Sequence, residues 1–246
     1  GLSLVFGGLK NGVQTFDRRN AAMNGILLVL AVVALLVPSL FDVAVQQDRA
    51  RELGLSEGVA VIMIVLYGLS IFYSFRNGGG IGHHGEEQHK PKWSWQVAVG
   101  ILAAATIGIV LMSEVLVGAV DAATASLGLT EFFVGIIIIP LVGNIAEHLV
   151  AVQVAYKNKM ELSLAISLGS SLQIALFVAP VLVFVSMLMG GEVLLLVFNN
   201  FELIALVASA LIAALIAQDG ESNWFEGAML MAVYFIVALA FFFIPA

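Results

Sequence analysis

Cysteine is absent from all 246 residues, which excludes disulfides, thiolate metal sites and thiol nucleophiles. Charge is scarce as well. Asp, Glu, Lys and Arg make up 11% of the chain, against about 25% in a typical soluble domain. Together with 61% hydrophobic residues and a mean hydropathy of +1.06, that excludes an ordinary soluble fold. The apolar runs show no regular alternation, so a transmembrane β-barrel is excluded too. The net charge of -7 is scattered through loops and spans rather than gathered in a tail, and nothing in it calls for nucleic acid. The opening Gly-Leu-Ser-Leu-Val-Phe-Gly-Gly has no basic start and no cleavage region, so it is not a signal peptide. No His-Glu-x-x-His occurs, and His148 has no histidine one helical turn away, which removes an intramembrane metalloprotease and leaves no enzyme chemistry or cofactor site in view.

What is present is a series of long apolar runs with short polar joints, the pattern of an all-α, polytopic helical membrane protein whose surroundings are the lipid bilayer. The first residues read as the tail of a transmembrane helix whose beginning is missing, so the chain is expected to be a C-terminal fragment. Full spans are expected at Ala21 to Phe41, Gly58 to Phe75, Trp95 to Val120, Phe132 to Tyr156, Leu162 to Met189, Phe201 to Ala217 and Trp224 to Ile244, seven in all plus the stub. Asp42 to Glu57 reads as a mixed-charge loop, and Trp93 and Trp95 as interfacial anchors. If loops alternate sides, Lys10, Arg18, Arg19, Arg76, Lys90, Lys92, Lys157 and Lys159 share one side and only Arg49 and Arg51 the other. Basic loops stay in the cytoplasm. That puts linker 76–94 and the Lys157 turn inside and the C-terminus outside, in a plasma membrane or an organelle membrane.

The polar residues that matter lie within apolar spans. Glu147 is about 22 Å along a helix from Phe132 and about 14 Å from Tyr156, near mid-membrane, where a carboxylate is a functional-site hypothesis by default. The fourth and fifth spans form a hairpin turning at Asn158, with Glu147 eleven residues before the turn and Ser170 twelve after. Two antiparallel helices of equal rise therefore place them at matching depth. Asn144 shares a face with Glu147 by i,i+3 spacing, and Gln173 with Ser170. Gly143 and Gly169 permit close backbone approach or unwinding, which frees carbonyl oxygens. The result is an oxygen-rich set suited to a hard cation such as Ca²⁺, Mg²⁺, Mn²⁺ or Na⁺.

One carboxylate does not balance a divalent charge in low dielectric, so a second acid is expected elsewhere. Ser171 points away from Ser170 and has a weaker claim on the ion. His148 lies about 100° round the helix from Glu147 and is an accessory proton relay or a helix-to-helix hydrogen-bonding group. Glu114, near the outer end of its span, lines the path or pairs structurally. Glu202 opens a helix and reads as a dipole partner. His83, His84, Glu86, Glu87 and His89 read as a solvated Gly-rich linker ahead of a regulatory metal site.

At these residues a family resemblance emerges. Phe133-x-Gly135-x4-Pro140-Leu141-Val142-Gly143-Asn144-Ile145-Ala146-Glu147-His148, followed by Lys157-Asn158-Lys159-Met160-Glu161 and Gly169-Ser170-Ser171-Leu172-Gln173-Ile174-Ala175-Leu176-Phe177, resembles the second signature repeat of the cation/proton (calcium/proton) antiporters of the calcium/cation antiporter superfamily. Gly7-Gly8 to Gln14-x-Phe16, Ser113-Glu114-x-Leu116-Val117 and Asp219-Gly220-x-Ser222-Asn223-Trp224-x-Glu226-Gly227 extend the likeness over nearly the whole chain. The resemblance implies an inverted-repeat antiporter. Residues 1–75 would be a remnant of the first repeat (the stub and two spans), 76–94 a cytoplasmic His/Gly/Glu linker, and 95–246 the second repeat of five spans. The missing N-terminal repeat would carry another Gly-Asn-x-x-Glu. The expected function is secondary active exchange of cytoplasmic Ca²⁺, or a similar divalent cation, for protons at Glu147, with Asn144, Ser170 and Gln173 as further ligands. A sodium-driven or Mn²⁺-selective exchanger, a pore and a non-transporting subunit are the alternatives.

Overall fold

The computed structural model of the chain describes residues 1–45, 49–76, 93–191 and 193–244. Helices α1 (Leu2–Asn11), α2 (Arg18–Val45), α3 (Arg49–Arg76) and α4 (Trp95–Leu127) come first. The short α5 (Glu131–Phe133) and α6 (Ile139–Gly143) are joined by a π-helical turn, Val134–Ile138. Then follow α7 (Ile145–Tyr156), α8 (Met160–Gln173), a second π turn at Ile174–Val178, α9 (Ala179–Met189), α10 (Asn200–Ile216) and α11 (Trp224–Phe243).

Among the described residues, five helical stretches are long and apolar enough to cross a membrane: Arg18–Asp42, Arg49–Arg76, Trp95–Val120, Met160–Met189 and Trp224–Phe243. The expected fourth span is a broken one, Glu131–Gly143 with Ile145–Tyr156, and the expected sixth is the shorter Asn200–Ile216. The expected loop from Asp42 to Glu57 is corrected at both ends, because α2 runs on to Val45 and α3 starts at Arg49. Its extra turns are held by packing that a charge count does not reveal: Glu52 and Ser56 are buried, and Ser56 Oγ accepts the Leu196 amide at 3.3 Å. The histidines and glutamates of linker 76–94, His83 to His89, lie outside the described residues.

The chain divides into two compact units, Gly1–Ile81 with Ile145–Val237, and Gly82–Asn144 with Ala238–Ala246. The first holds the principal core, where Ala31 and Leu35 of α2, Ala60 and Met63 of α3, Leu172 of α8, Leu176, Val183 of α9 and Leu196 pack together. Small residues let its backbones meet. A Cβ on Gly8 of α1 would run into the backbone of Trp224 in α11, and one on Gly227 into that of Val5. Gly25 of α2 lies against Ala214 of α10, where a Cβ would be 3.2 Å from Ala214 Cα.

At one end of this unit three connections meet. Strand β1 (Gln14–Thr15) pairs antiparallel with β2 (Glu221–Ser222), Gln14 opposite Ser222, and Arg18 Nε donates to the Gln218 carbonyl at 2.7 Å. Gln14, 1% exposed, donates from Nε2 to the Ala155 carbonyl and to Asn158 Oδ1, both at 2.9 Å. The joints after α1, after α7 and after α10 thus lie at the same end, as alternation of loop sides requires. In the second unit α4 starts on a Ser94 cap and stops at Gly128 in the left-handed region, and Phe132 and Phe133 meet Phe241 and Phe242 edge to face.

Candidate functional site

The hairpin that positions Glu147 forms because α7 stops at a tight turn. Asn158 takes a positive φ of 61°, and its Oδ1 is fixed by Gln14. Helices α7 and α8 then run antiparallel against one another, so Glu147 and Ser170, nearly equidistant from the turn, come to similar depth. On α7, Glu147 begins a stripe at four-residue spacing that continues with Ala151 and Ala155, 4% and 0% exposed. The carboxylate therefore sits at the head of the packed seam, at the helix end nearest the break in the span. Glu147 itself is exposed among the described residues. So are His148, Ser171 and Gln173, while Ser170 is half-buried.

Two geometric expectations change. Asn144 does not share a helical face with Glu147, because the helix is interrupted there: Asn144 has φ -102° and ψ 16°. Its Nδ2 turns back to donate to the Pro140 carbonyl at 2.9 Å, and Oδ1 is the amide atom left for a ligand. Gly143 and Gly169 do not mark close helix contacts either, since a Cβ on each would meet nothing within 4 Å. Gly143 ends α6, whereas Gly169 stays helical within α8. Ser171 Oγ donates to the Ser167 carbonyl of its own helix at 2.9 Å, so the more exposed hydroxyl of the pair is already committed to its own helix. Glu114 is exposed on α4 in the other unit. Glu202 does what its position at a helix start suggests: it closes a capping box with Asn199, Oε2 accepting the Asn199 amide at 2.8 Å.

Two features escaped the reading of residues. The first is the pair of π turns, each ending two residues before a proline. Pro140 and Pro180 have no N–H to give to the fourth carbonyl back. The amides just before them, Ile139 and Ala179, reach the fifth carbonyl back instead, Val134 and Ile174. The second turn directly follows Gln173. Prolines inside apolar spans were the available signal, and π turns recur at functional sites. The other is Ser163, 0% exposed and seven residues before Ser170 on α8, whose Oγ has no hydrogen-bond partner among the described residues. Among these residues no cluster of three His, Asp or Glu gathers to hold a metal, so an ion at this hairpin would depend on hydroxyl, amide and carbonyl oxygens beside a single carboxylate.

Comparison with known proteins agrees with this architecture. Residues 97–243 match the family model described as sodium/calcium exchanger protein. A Ca(2+)/H(+) antiporter of Aphanothece halophytica is 42% identical over 265 residues, covering 100% of this chain and 70% of the relative. The Ca(2+)/H(+) antiporter ChaA of Bacillus subtilis is 42% identical over 248 residues, covering 98% and 70%. The solved structure of native YfkE superposes with a TM-score of 0.82 at 40% identity over 99% of this chain and 69% of that one.

Proposed function

Because this chain belongs to the cation/proton antiporters of the sodium/calcium exchanger protein family, we propose that it serves a secondary active transporter that moves Ca²⁺, or a similar divalent cation, out of the cytoplasm in exchange for protons. Glu147 is the shared group. Deprotonated, it ligates the cation; protonated, it loses the charge that held the ion, and the ion leaves. Both occupants want the same two oxygens, so cation and proton compete at this carboxylate.

What supports this reading is that α7 and α8 pack antiparallel about the Asn158 turn, with Glu147 eleven residues before it and Ser170 twelve after. Ser170 Oγ and Gln173 Oε1 complete the neutral part of the ligand set. Asn144 is put forward as a further ligand from the Gly-Asn-x-x-Glu motif alone. His148 is placed beside the proton route, and Gly143, Gly169 and Ser171 are given supporting parts in the motion. Glu114 is assigned to the ion's path. A divalent ion needs more negative charge than Glu147 supplies, and we assign the second carboxylate to another Gly-Asn-x-x-Glu on a segment of the full protein outside this sequence. Residues 95–246 then act as one of two repeats that rock against each other to alternate access.

The test uses the complete protein in sealed vesicles. Glu147→Gln keeps the shape and removes the titratable charge, and proton-driven Ca²⁺ uptake should disappear. Uptake at the wild-type rate overturns the assignment. Replacing the pH gradient by a sodium gradient should give no uptake; sodium-driven uptake would make the chain a sodium exchanger instead.

A further inference from the structure

We infer that residues 193–199 form a serine-clamped lid that closes the first unit at the end opposite the Asn158 turn. The segment lies between α9, which stops at Gly190 in the left-handed region (φ 70°), and the Asn199 cap of α10. It is apolar, Val-Leu-Leu-Leu-Val-Phe-Asn, yet it is neither helix nor strand. Its amides need partners that an apolar environment does not supply. They find them at intervals of two. The N–H of Leu194 donates to Ser186 Oγ at 2.9 Å, that of Leu196 to Ser56 Oγ at 3.3 Å and that of Phe198 to Ser39 Oγ at 2.9 Å. An extended chain sends every second N–H to the same side, and here three helices, α9, α3 and α2, each offer one hydroxyl to that side.

At the bend of the segment one side chain turns inward. Leu196 is 1% exposed and joins the core between α2 and α3 on one hand and Leu172, Leu176 and Val183 on the other. Depth follows from helix rise. Ser39 lies 21 residues from Arg18 and Ser56 lies 20 from Arg76, about 30 Å in each case, which matches the thickness of a bilayer's hydrocarbon core. The lid therefore sits at the far membrane boundary, with Leu196 as its plug. Three single hydrogen bonds to neutral hydroxyls hold it, not a β-ladder, and they can break together without melting the helices that carry them. Opening withdraws Leu196 from Leu172 of α8 and Leu176 of the second π turn, on either side of Gln173 in the chain, and admits water from that side. The lid's existence is independent of the assignment of Glu147; what gains access beneath it rests on that assignment.

The experiment is amide hydrogen exchange by mass spectrometry on the full protein in lipid nanodiscs. In the unaltered protein the amides of 193–199 should exchange as one group, at least tenfold faster than those of α9 and α10. Exchange as slow as the flanking helices means a fixed strut and overturns the lid. Ser56→Ala should speed exchange in 193–199 by a further factor of about ten, leave α10 unchanged, and be reversed by Ser56→Thr, which keeps the hydroxyl. Faster exchange spread over the whole unit, or none in 193–199, also overturns it. Leu176→Cys, in a full protein freed of any other cysteine, provides an independent reading. A membrane-impermeant maleimide added on the lid side should label it faster when Ser39→Ala is also present. Equal rates contradict the proposal.

Discussion

Glycine shows most clearly that the same residue type does different work at different places along this chain. Gly8 of α1 is required by contact, since any side chain there would strike the backbone of Trp224. Neither partner can move without displacing a helix, so Gly8→Ala is expected to cost roughly 1–3 kcal/mol, the usual range for overpacking, and to lower the thermal midpoint of the detergent-solubilised protein. Gly169, in the motif beside Ser170, has open space around it. Gly169→Ala should leave that midpoint unchanged or raise it, because alanine favours a helix by up to about 1 kcal/mol. Any loss of exchange in Gly169→Ala would then report on transport and not on folding, and fluorescence-detected unfolding of the two variants side by side separates the cases. The sequence shows both glycines with equal force; only the neighbours tell them apart. The same holds for Asn144, whose spacing to Glu147 suggests a shared face although its own backbone, at φ -102° and ψ 16°, has left the helix.

At the scale of elements, apolar runs were enough to find the helices, because their length and composition have no soluble alternative. Their ends were less legible. Nine residues of α3 that read as loop are helical because Ser56 and Glu52 find buried positions, a tertiary effect. Strands β1 and β2 are two residues each and carry no periodic signal at all. The π turns are the element-scale feature with a functional consequence. Pro180 forces the wider turn that follows Gln173, and so sets how the Ser170–Gln173 face of α8 is rotated relative to α9. Pro180→Ala restores an N–H that can bond to the Leu176 carbonyl, which would let the segment tighten into an α-helix and turn its residues by up to one position, about 100°. Amides of 174–178 should then exchange more slowly with solvent, while Ca²⁺/proton exchange falls by about tenfold, the change expected from roughly 1.4 kcal/mol of lost positioning. Slower amide exchange with undiminished transport would show that the π turn is a packing accident.

For the whole molecule, the strongest inference from sequence was the division of basic residues between alternate loops, eight against two, and the fold supplies an independent reason to expect it. The joints carrying Lys10, Arg18, Lys157 and Lys159 come together through Gln14, Asn11 and the β1–β2 pair, so they cannot lie on opposite sides of a membrane. Lys10 even rests over the Tyr156 ring at 3.8 Å, an amphipathic pairing suited to the interface. The two arguments differ in kind: charge says which side is the cytoplasm, and contact says only which loops share a side. Single cysteines introduced into a cysteine-free background of the full protein can test both at once. An impermeant maleimide should label Asn158→Cys and Asp219→Cys only from the cytoplasmic face, and Asn200→Cys, beside the lid, only from the opposite face. If Asn158→Cys and Asp219→Cys label together but from outside, the contacts are right and the charge rule has misassigned the compartment, so the direction of cation movement would reverse. If they label from different sides, the joined ends cannot form in the membrane, and the turn between α7 and α8 loses the Gln14 contact that anchors it.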